Sequence, residues 1–512
     1  MSPVNSFNEE DPLALAIRPP ADETPQQRDA RLAEEAAAKK ISDDIDEQIR
    51  AESKKRKARA KKEIKVLLLG QSESGKSTCL KQFQLLYAPA SFSGERDSWK
   101  AIIYLNLVKS IRKVLDAISH DDDSFSDDGA DSAGSPTSPG KPTSKEALRS
   151  GTPISFFQNE DPNSRQSTDD TYAQFAAIKL RLSPLALAEE LLIKRLAGPG
   201  EEEATQFGSW APHPTSSTSR IKEVFVRSSS NWKRGLFSGG HGGAKGKENG
   251  SGAEGERKSA EKDDPFGIVN ACRDDMITLW KDQSVQGILK RKGIRLEEMP
   301  GFYLNDILRV TTKTYSPSNQ DVLNARLKTV GVVEHLFQLE NGGEKGMDWR
   351  IFDVGGHRDQ RQTWAPFFDD VNAIIFLAPI SAFDQVLVED KKVNRIEDSL
   401  LLFRSICANK LLGKVNIVLF LNKIDILERK LKAGVKVSRY VRSYGERPNE
   451  LQTVASYFLS KFMAVHKEST PNPLRELYTH LTKVTDTEAT AALISDVREM
   501  ILRKHLQDSS LM

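Results

Sequence analysis

The stretch IKVLLLGQSESGKST, from Ile64 to Thr78, constrains the fold more than any other. An unbroken apolar run reads as a strand buried on both faces, and it ends directly in a Gly-rich loop. Gly70, Gly75, Lys76 and Ser77 fit the pattern G-x-x-x-x-G-K-[ST]. Glycines at those places let backbone N–H groups curl around phosphate oxygens, at a helix N-terminus that already favours anions. Lys76 would reach the terminal phosphates, and the Ser77 hydroxyl would bind Mg2+. Glu73, Ser74 and Thr78 complete the set of loop residues expected on the nucleotide. The plain alternative is a chance Gly/Ser loop, and the preceding strand weighs against it.

After Val330, short apolar runs alternate with longer helical patterns: EHLFQLE, WRIFDVG, NAIIFLAPI, NIVLFLNK and LYTHLTKVT. With the first strand they make about six, most of them spaced for helical crossovers, so an α/β fold with a mainly parallel sheet is expected. The intervening block carries helical patterns, SWKAIIYLNLVKSIRKVLDAI, TYAQFAAIKLRLSPLALAEELLIKRL and VNACRDDMITLWKDQSVQGILK. One strand therefore precedes a helical block and the others follow it. That order predicts an α/β domain, 64–90 and 320–512, interrupted by an all-helical domain, 91–319. Within the latter, about 121–170 and 198–264 are rich in Ser, Gly, Asp and Pro without apolar periodicity and read as disordered. Residues 1–27 read as a disordered tail. Residues 28–63 read as a polar helix with Ile41, Ile45 and Ile49 at four-residue spacing, ending in the basic run KKRKARAKK.

Composition narrows the class. The 512 residues carry a net charge of +2, so no global field draws nucleic acid and no such partner is expected. Cys79, Cys272 and Cys407 are odd in number and far apart, which fits a reducing compartment better than a disulfide framework. No apolar run approaches the ~18–20 residues that span a bilayer, and no signal-peptide core opens the chain. An intracellular chain is the expectation.

A second motif bears on the base. In VLFLNKID, Asn422, Lys423 and Asp425 form N-K-x-D at the end of an apolar strand. Guanine offers two adjacent donors, N1–H and the 2-amino group, to one carboxylate, whereas adenine has no such pair. Asp425 can select guanine by a bidentate contact, and the Lys423 stem would lie along the base. VTDT, from Val484, could add a backbone N–H to the guanine carbonyl; alone it is only a turn.

Together these residues resemble the α subunits of heterotrimeric G proteins, over about 35–120 and 265–512. SWKAIIYLNLVKSI, LWKDQSVQ, FYLNDILRV, QDVLNARLKTVGVVE, DVGGHRDQRQTW, VEDKKVNRIEDSLLLF and TDT fall in the family's order. The resemblance implies a phosphate-loop GTPase domain with an inserted helical domain that covers GTP or GDP. It implies that Asp306 and Leu323 approach the nucleotide from the helical side and the linker. Arg326 matches the arginine that stabilises transition-state charge, a contribution of ~10³–10⁵ in rate. Thr329 matches the threonine that completes Mg2+ coordination, and Asp353 the aspartate that holds the metal through water. Gly356 would offer its N–H to the γ-phosphate. An ATP-using relative is disfavoured by the N-K-x-D residues.

Two departures bear on catalysis. Ser72 stands where the family usually has Gly, close to where water and γ-phosphate meet; substitution at the matching place slows hydrolysis in small GTPases. His357 stands where the family has the catalytic Gln. A carboxamide presents donor and acceptor at one end, while neutral imidazole has them on different edges. Slow hydrolysis is expected, with a non-hydrolysing, GTP-dependent binding module as the alternative. Translational GTPases, which place a His after a D-x-x-G turn, are the precedent for activity. Asn324 and Val330 also differ from common family residues.

By the same resemblance the partners are a βγ dimer, a seven-helix receptor at the C-terminal VREMILRKHLQDSSLM, a downstream effector and a GTPase-activating regulator. The βγ contact would use the N-terminal helix and the segment Arg358 to Trp364, with Trp364 as an aromatic anchor. The expected location is the inner face of the plasma membrane. Ser2, and the absence of Cys before Cys79, do not support N-terminal lipidation. KKRKARAKK could bind anionic lipid or be a solvated helix face. Ser135 and Ser138 precede prolines and carry no weight as modification sites.

Overall fold

The structure, a computed structural model, describes residues 24–60, 63–122, 175–196, 225–226, 264–329, 331–338 and 348–510. Val330, Ser135, Ser138 and most of both low-complexity segments lie outside them. One unit, Met1–Ile64, contains the helix α1, Pro25–Ala60. This helix starts earlier than expected because Thr24 and Gln27 cap each other around Pro25: Thr24 N donates to Gln27 Oε1 at 3.1 Å and Gln27 N to Thr24 Oγ1 at 3.4 Å. Ile41, Ile45 and Ile49 are all exposed on it.

The other unit, Lys65–Met512, begins within β1, Glu63–Gly70, and continues through α2, Lys76–Tyr87, and the long α3, Arg96–Asp122. α3 runs two residues into the segment expected to be disordered. α4, Leu185–Leu196, packs on it, and buried Glu189 pairs with Arg112 across the contact. Phe225–Val226 forms β2, a second correction to the disordered reading. The pattern over 269–290 is divided among α5, Pro265–Ala271, α6, Arg273–Lys281, and α7, Gln283–Arg291. Asp264 caps the start of α5 and Asp282 separates α7 from α6 by capping: each side chain accepts two backbone N–H groups at the start of the following helix. A short α8, Asn319–Asn324, then leads into β3, Lys328–Thr329, which pairs in parallel with β2.

The main sheet adds β4, Val332–Gln338, β5, Asp348–Val354, β6, Ala373–Pro379, β7, Asn416–Asn422, and β8, Leu477–Thr482. Strand order is β4-β5-β1-β6-β7-β8. β1–β6, β6–β7 and β7–β8 are parallel, with Val66 opposite Ala373 and Ile417 opposite Leu477; β4–β5 is antiparallel. β4 starts two residues earlier than expected, in register with Val354 of β5. The helices α9, Arg395–Ala408, α10, Ile424–Lys432, α11, Leu451–Ser469, and α12, Thr487–Ser510, accompany the sheet.

Two buried clusters result. One gathers Ile102, Ile103 and Val108 of α3 with Leu192, Met276 and Val285; the other gathers Leu67 and Leu69 of β1 with Phe376, Phe403 and Phe458. Central strands buried on both faces explain the unbroken apolar runs. The carboxyl ends of β1, β5, β7 and β8 deliver four loops to one edge of the sheet, where open α/β sheets bind their ligands.

Candidate nucleotide site

A cleft of about 710 Å³ opens at that edge, and residues of both buried clusters' surroundings line it, including Lys76, Asp306, Arg326, Gly356, Asp425 and Val484. That size suits a small ligand. The phosphate loop earns its turn from backbone freedom: Gly70 and Gly75 have φ of 140° and 107°. A Cβ on Gly75 would run into the Asn422 carboxamide. Lys76 Nζ donates to the carbonyls of Gly70 and Gln71 at 2.9 and 2.7 Å, which shapes the loop. Burial lowers the Lys76 pKa to about 8, against the opposing charge of Asp353.

Three oxygens gather beside the loop. Ser77 Oγ donates to Asp353 Oδ2 at 2.6 Å and lies 3.0 Å from Thr329 Oγ1, which is itself 3.2 Å from Asp353 Oδ2. Asp353 Oδ1 is buried without a hydrogen-bond partner among the described residues. Burial raises the Asp353 pKa, while Lys76 and the two hydroxyls oppose the rise. Hard oxygens with one lone carboxylate acceptor fit Mg2+, which prefers a few protein oxygens together with phosphate and water.

At the other end, Asn422 ties two loops together. Its Nδ2 donates to Ser74 O at 2.7 Å, and its Oδ1 accepts from Val484 N and Thr482 Oγ1, both at 3.2 Å. The Val484 N–H expected on the base is thus engaged by Asn422, and Thr485, next along the turn, also lines the cleft. Lys423 adopts a left-handed backbone, φ 66°, which starts α10 and brings Asp425 to the cleft. Burial lowers the Lys423 pKa to about 8.

The linker side is braced by Asn106, Lys81 and Arg309, which sequence motifs did not single out, together with Thr78. Asn106 of α3 grips the backbone of Arg326 at both ends, accepting from its N at 2.7 Å and donating to its O at 3.0 Å. Lys81 donates to the carbonyls of Val322 and Ala325, each at 2.8 Å, and caps the Trp99 ring at 4.2 Å. Thr78 reaches Leu323 O at 3.4 Å. Arg309 makes a two-pronged contact with buried Asp321 at 2.8 and 2.9 Å and also holds Asp306. The Arg326 guanidinium lies 2.7 Å from Glu73. Burial alone would raise the Glu73 carboxyl, but Arg326, then Arg395, bring it below its ordinary value.

The family model described as G-protein alpha subunit matches residues 39–501. The chain belongs to the G-protein alpha subunit family. Its relatives include the guanine nucleotide-binding protein alpha-4 subunit of Mycosarcoma maydis, 32% identical, with 98% of this chain and 96% of that protein covered. A guanine nucleotide-binding protein subunit alpha of Coprinellus congregatus is 28% identical, with 93% and 97% covered. The alpha-2 subunit of Neurospora crassa is also 28% identical, with 91% and 94% covered. Membership makes the chain a guanine-nucleotide-binding signal transducer with a phosphate-loop GTPase fold and a helical domain.

In this alpha subunit the turn after β5 packs tightly on the phosphate loop. Gly356 O accepts from Ser72 N at 3.1 Å, and a Cβ on Gly356 would stand 2.5 Å from Lys76 Nζ. Only glycine fits there. His357 lies between carboxylates, with Nδ1 3.3 Å from Asp359 and Nε2 3.2 Å from Glu389. Trp364 is buried, its indole N–H donating to Gly355 O at 3.0 Å, so it is a core residue of the 3-10 segment Arg358–Phe367 rather than an exposed anchor. Buried Asp398 of α9 collects Arg358, Arg361 and Gln71 at 2.5–3.2 Å, linking this segment to the phosphate loop. Arg395 adds a bond to Ser72 O at 2.6 Å. No helix among the described residues is long and apolar enough to cross a membrane.

Proposed function

We propose that this alpha subunit relays signals from a seven-helix receptor to an effector, binding GTP and GDP with Mg2+ and hydrolysing GTP slowly. The observation that carries the reading is the meeting, in one cleft, of the phosphate loop, Asp425 and the oxygens of Ser77, Thr329 and Asp353. Asp425 would accept the guanine N1–H and 2-amino group. Backbone N–H groups of the loop, with Lys76, would hold the phosphates, and Asp306 and Leu323 would close the helical side. Ser77, Thr329 and, through water, Asp353 would hold Mg2+, which supplies charge neutralisation on the phosphates. Gly356 would bond the γ-phosphate, and Arg326, released from Glu73, would stabilise charge as the bond to the leaving phosphate breaks. The GTPase domain would span 64–90 and 320–512, and the helical domain 91–319. The exposed isoleucine stripe of α1 would meet a βγ dimer, and α12 a receptor, at the inner face of the plasma membrane.

Slowness follows from Ser72 and His357. Both nitrogens of the His357 ring are turned to carboxylates, Asp359 and Glu389, rather than to a position shared by water and phosphate, and an imidazole has its donor and acceptor on different edges. Single-turnover hydrolysis tests this: His357→Gln and Ser72→Gly should each speed turnover by roughly ten-fold, less than the ~10²–10⁴-fold of a fully positioned catalytic group. A wild type as fast as ordinary family members, with silent reversions, would refute it. The same position of His357 favours a second reading, a GTP-dependent binding module without hydrolysis. The nucleotide found on the purified protein separates the two: GDP for the slow enzyme, GTP for the locked module.

A further inference from the structure

We infer that Gln360, three residues beyond His357, is the group that orients the attacking water for GTP hydrolysis. The inference rests on the GTPase reading above. Two independent observations lead to it. First, the residue after the Gly pair is held by Glu389 and Asp359, as described, and is unsuited to the task. Second, a carboxamide is present in the same cleft. Gln360 lines it together with Thr329, Gly356 and Lys76. Its Oε1 is buried and has no hydrogen-bond partner among the described residues. A buried, unmatched carboxamide oxygen is unfavourable unless a ligand or water meets it.

The backbone is built around this side chain. A Cβ on Gly355 would collide with Gln360 Oε1, and it would also approach Thr329 O at 3.1 Å. Gly355 therefore leaves room for the carboxamide, as Gly356 leaves room for Lys76. The short 3-10 turn returns position 360 over the Gly pair, with Gln360 N donating to His357 O at 3.0 Å. Trp364 fixes the other side of the turn through its bond to Gly355 O.

In the reaction, Gln360 Oε1 would accept a hydrogen bond from water. The water oxygen forms a bond to the γ-phosphorus as the bond from that phosphorus to the β–γ bridging oxygen breaks. The water's proton ends on the released phosphate, and GDP leaves with the bridging oxygen's electron pair. Gln360 positions the water and takes no proton.

The test is single-turnover hydrolysis of GTP by the full chain, with GTP affinity measured on the same samples. Gln360→Ala should slow hydrolysis about a hundred-fold, the lower end for a positioned group, with affinity within about three-fold. Gln360→Met, which fills the same space, should do the same and carries the test if the alanine variant binds poorly. A Gln360→Met protein that binds GTP and hydrolyses it at the wild-type rate overturns the inference. A wild type that binds GTP but never cleaves it overturns the GTPase reading instead.

Discussion

The two ends of the cleft are held by different kinds of interaction. At the base end, the phosphate loop, β7 and the turn after β8 are joined by one neutral carboxamide, Asn422, which is 1% exposed and bonds only to backbone and hydroxyl groups. At the switch end, Glu73, Arg326, Arg395, Arg358, Arg361 and Asp398 form contacts between charges, several of them partly exposed. Neutral buried bonds are indifferent to salt and mild pH changes, whereas partly exposed ion pairs are screened and titrate. The proposed base end is fixed, and the proposed switch end is adjustable.

Three measurements would break or sharpen that contrast. The largest effect belongs to Asp425→Asn, which removes a charge-assisted pair and should weaken GDP binding about a hundred-fold, read by titration calorimetry. The loss should be similar at low and moderate salt; a strong salt dependence would mean the base end is not set apart. Next, Asn422→Ala should lower stability by about 2 kcal/mol, because buried donors and acceptors on two loops lose their partner. Thermal unfolding gives the value, and an unchanged midpoint would deny Asn422 its role as a tie. The smallest effect is acid sensitivity at the switch end. Glu73 has its folded pKa below the ordinary value of 4.5. Its contribution is therefore present above that value and fades as pH falls through the lower folded value. Glu73→Gln should flatten the acid limb of the stability curve over that window, and an identical acid limb would remove Glu73 from the account.

What the sequence made legible was local. The phosphate loop and N-K-x-D are contiguous, and each sits at a strand end, so motif and fold announced one another. The mainly parallel sheet and the inserted helices were readable because alternation of apolar runs with crossovers allows few arrangements, although the order of strands within the sheet was not. The braces were not readable. Asn106 meets Arg326 from 220 positions away and Gln71 meets Asp398 from 327, so no window of sequence contains both partners. Trp364 misled for a related reason: in a polar segment an aromatic looks like an exposed anchor, but its indole N–H finds Gly355 O inside the core. The break between α6 and α7 was signalled by Asp282, whose capping role the apolar periodicity masked.

The place of β1 in the sheet also has a consequence for how the chain is made. Lys65 N bonds to the Asn372 side chain 307 positions later, and β1 lies between β5 and β6. On a ribosome, this apolar strand emerges early and has no neighbours until most of the chain has followed. Contacts so distant along the chain form slowly, and an apolar strand waiting for them is exposed to aggregation. Among the strands of the main sheet, the one that carries the proposed phosphate loop therefore waits longest after its synthesis for its neighbours.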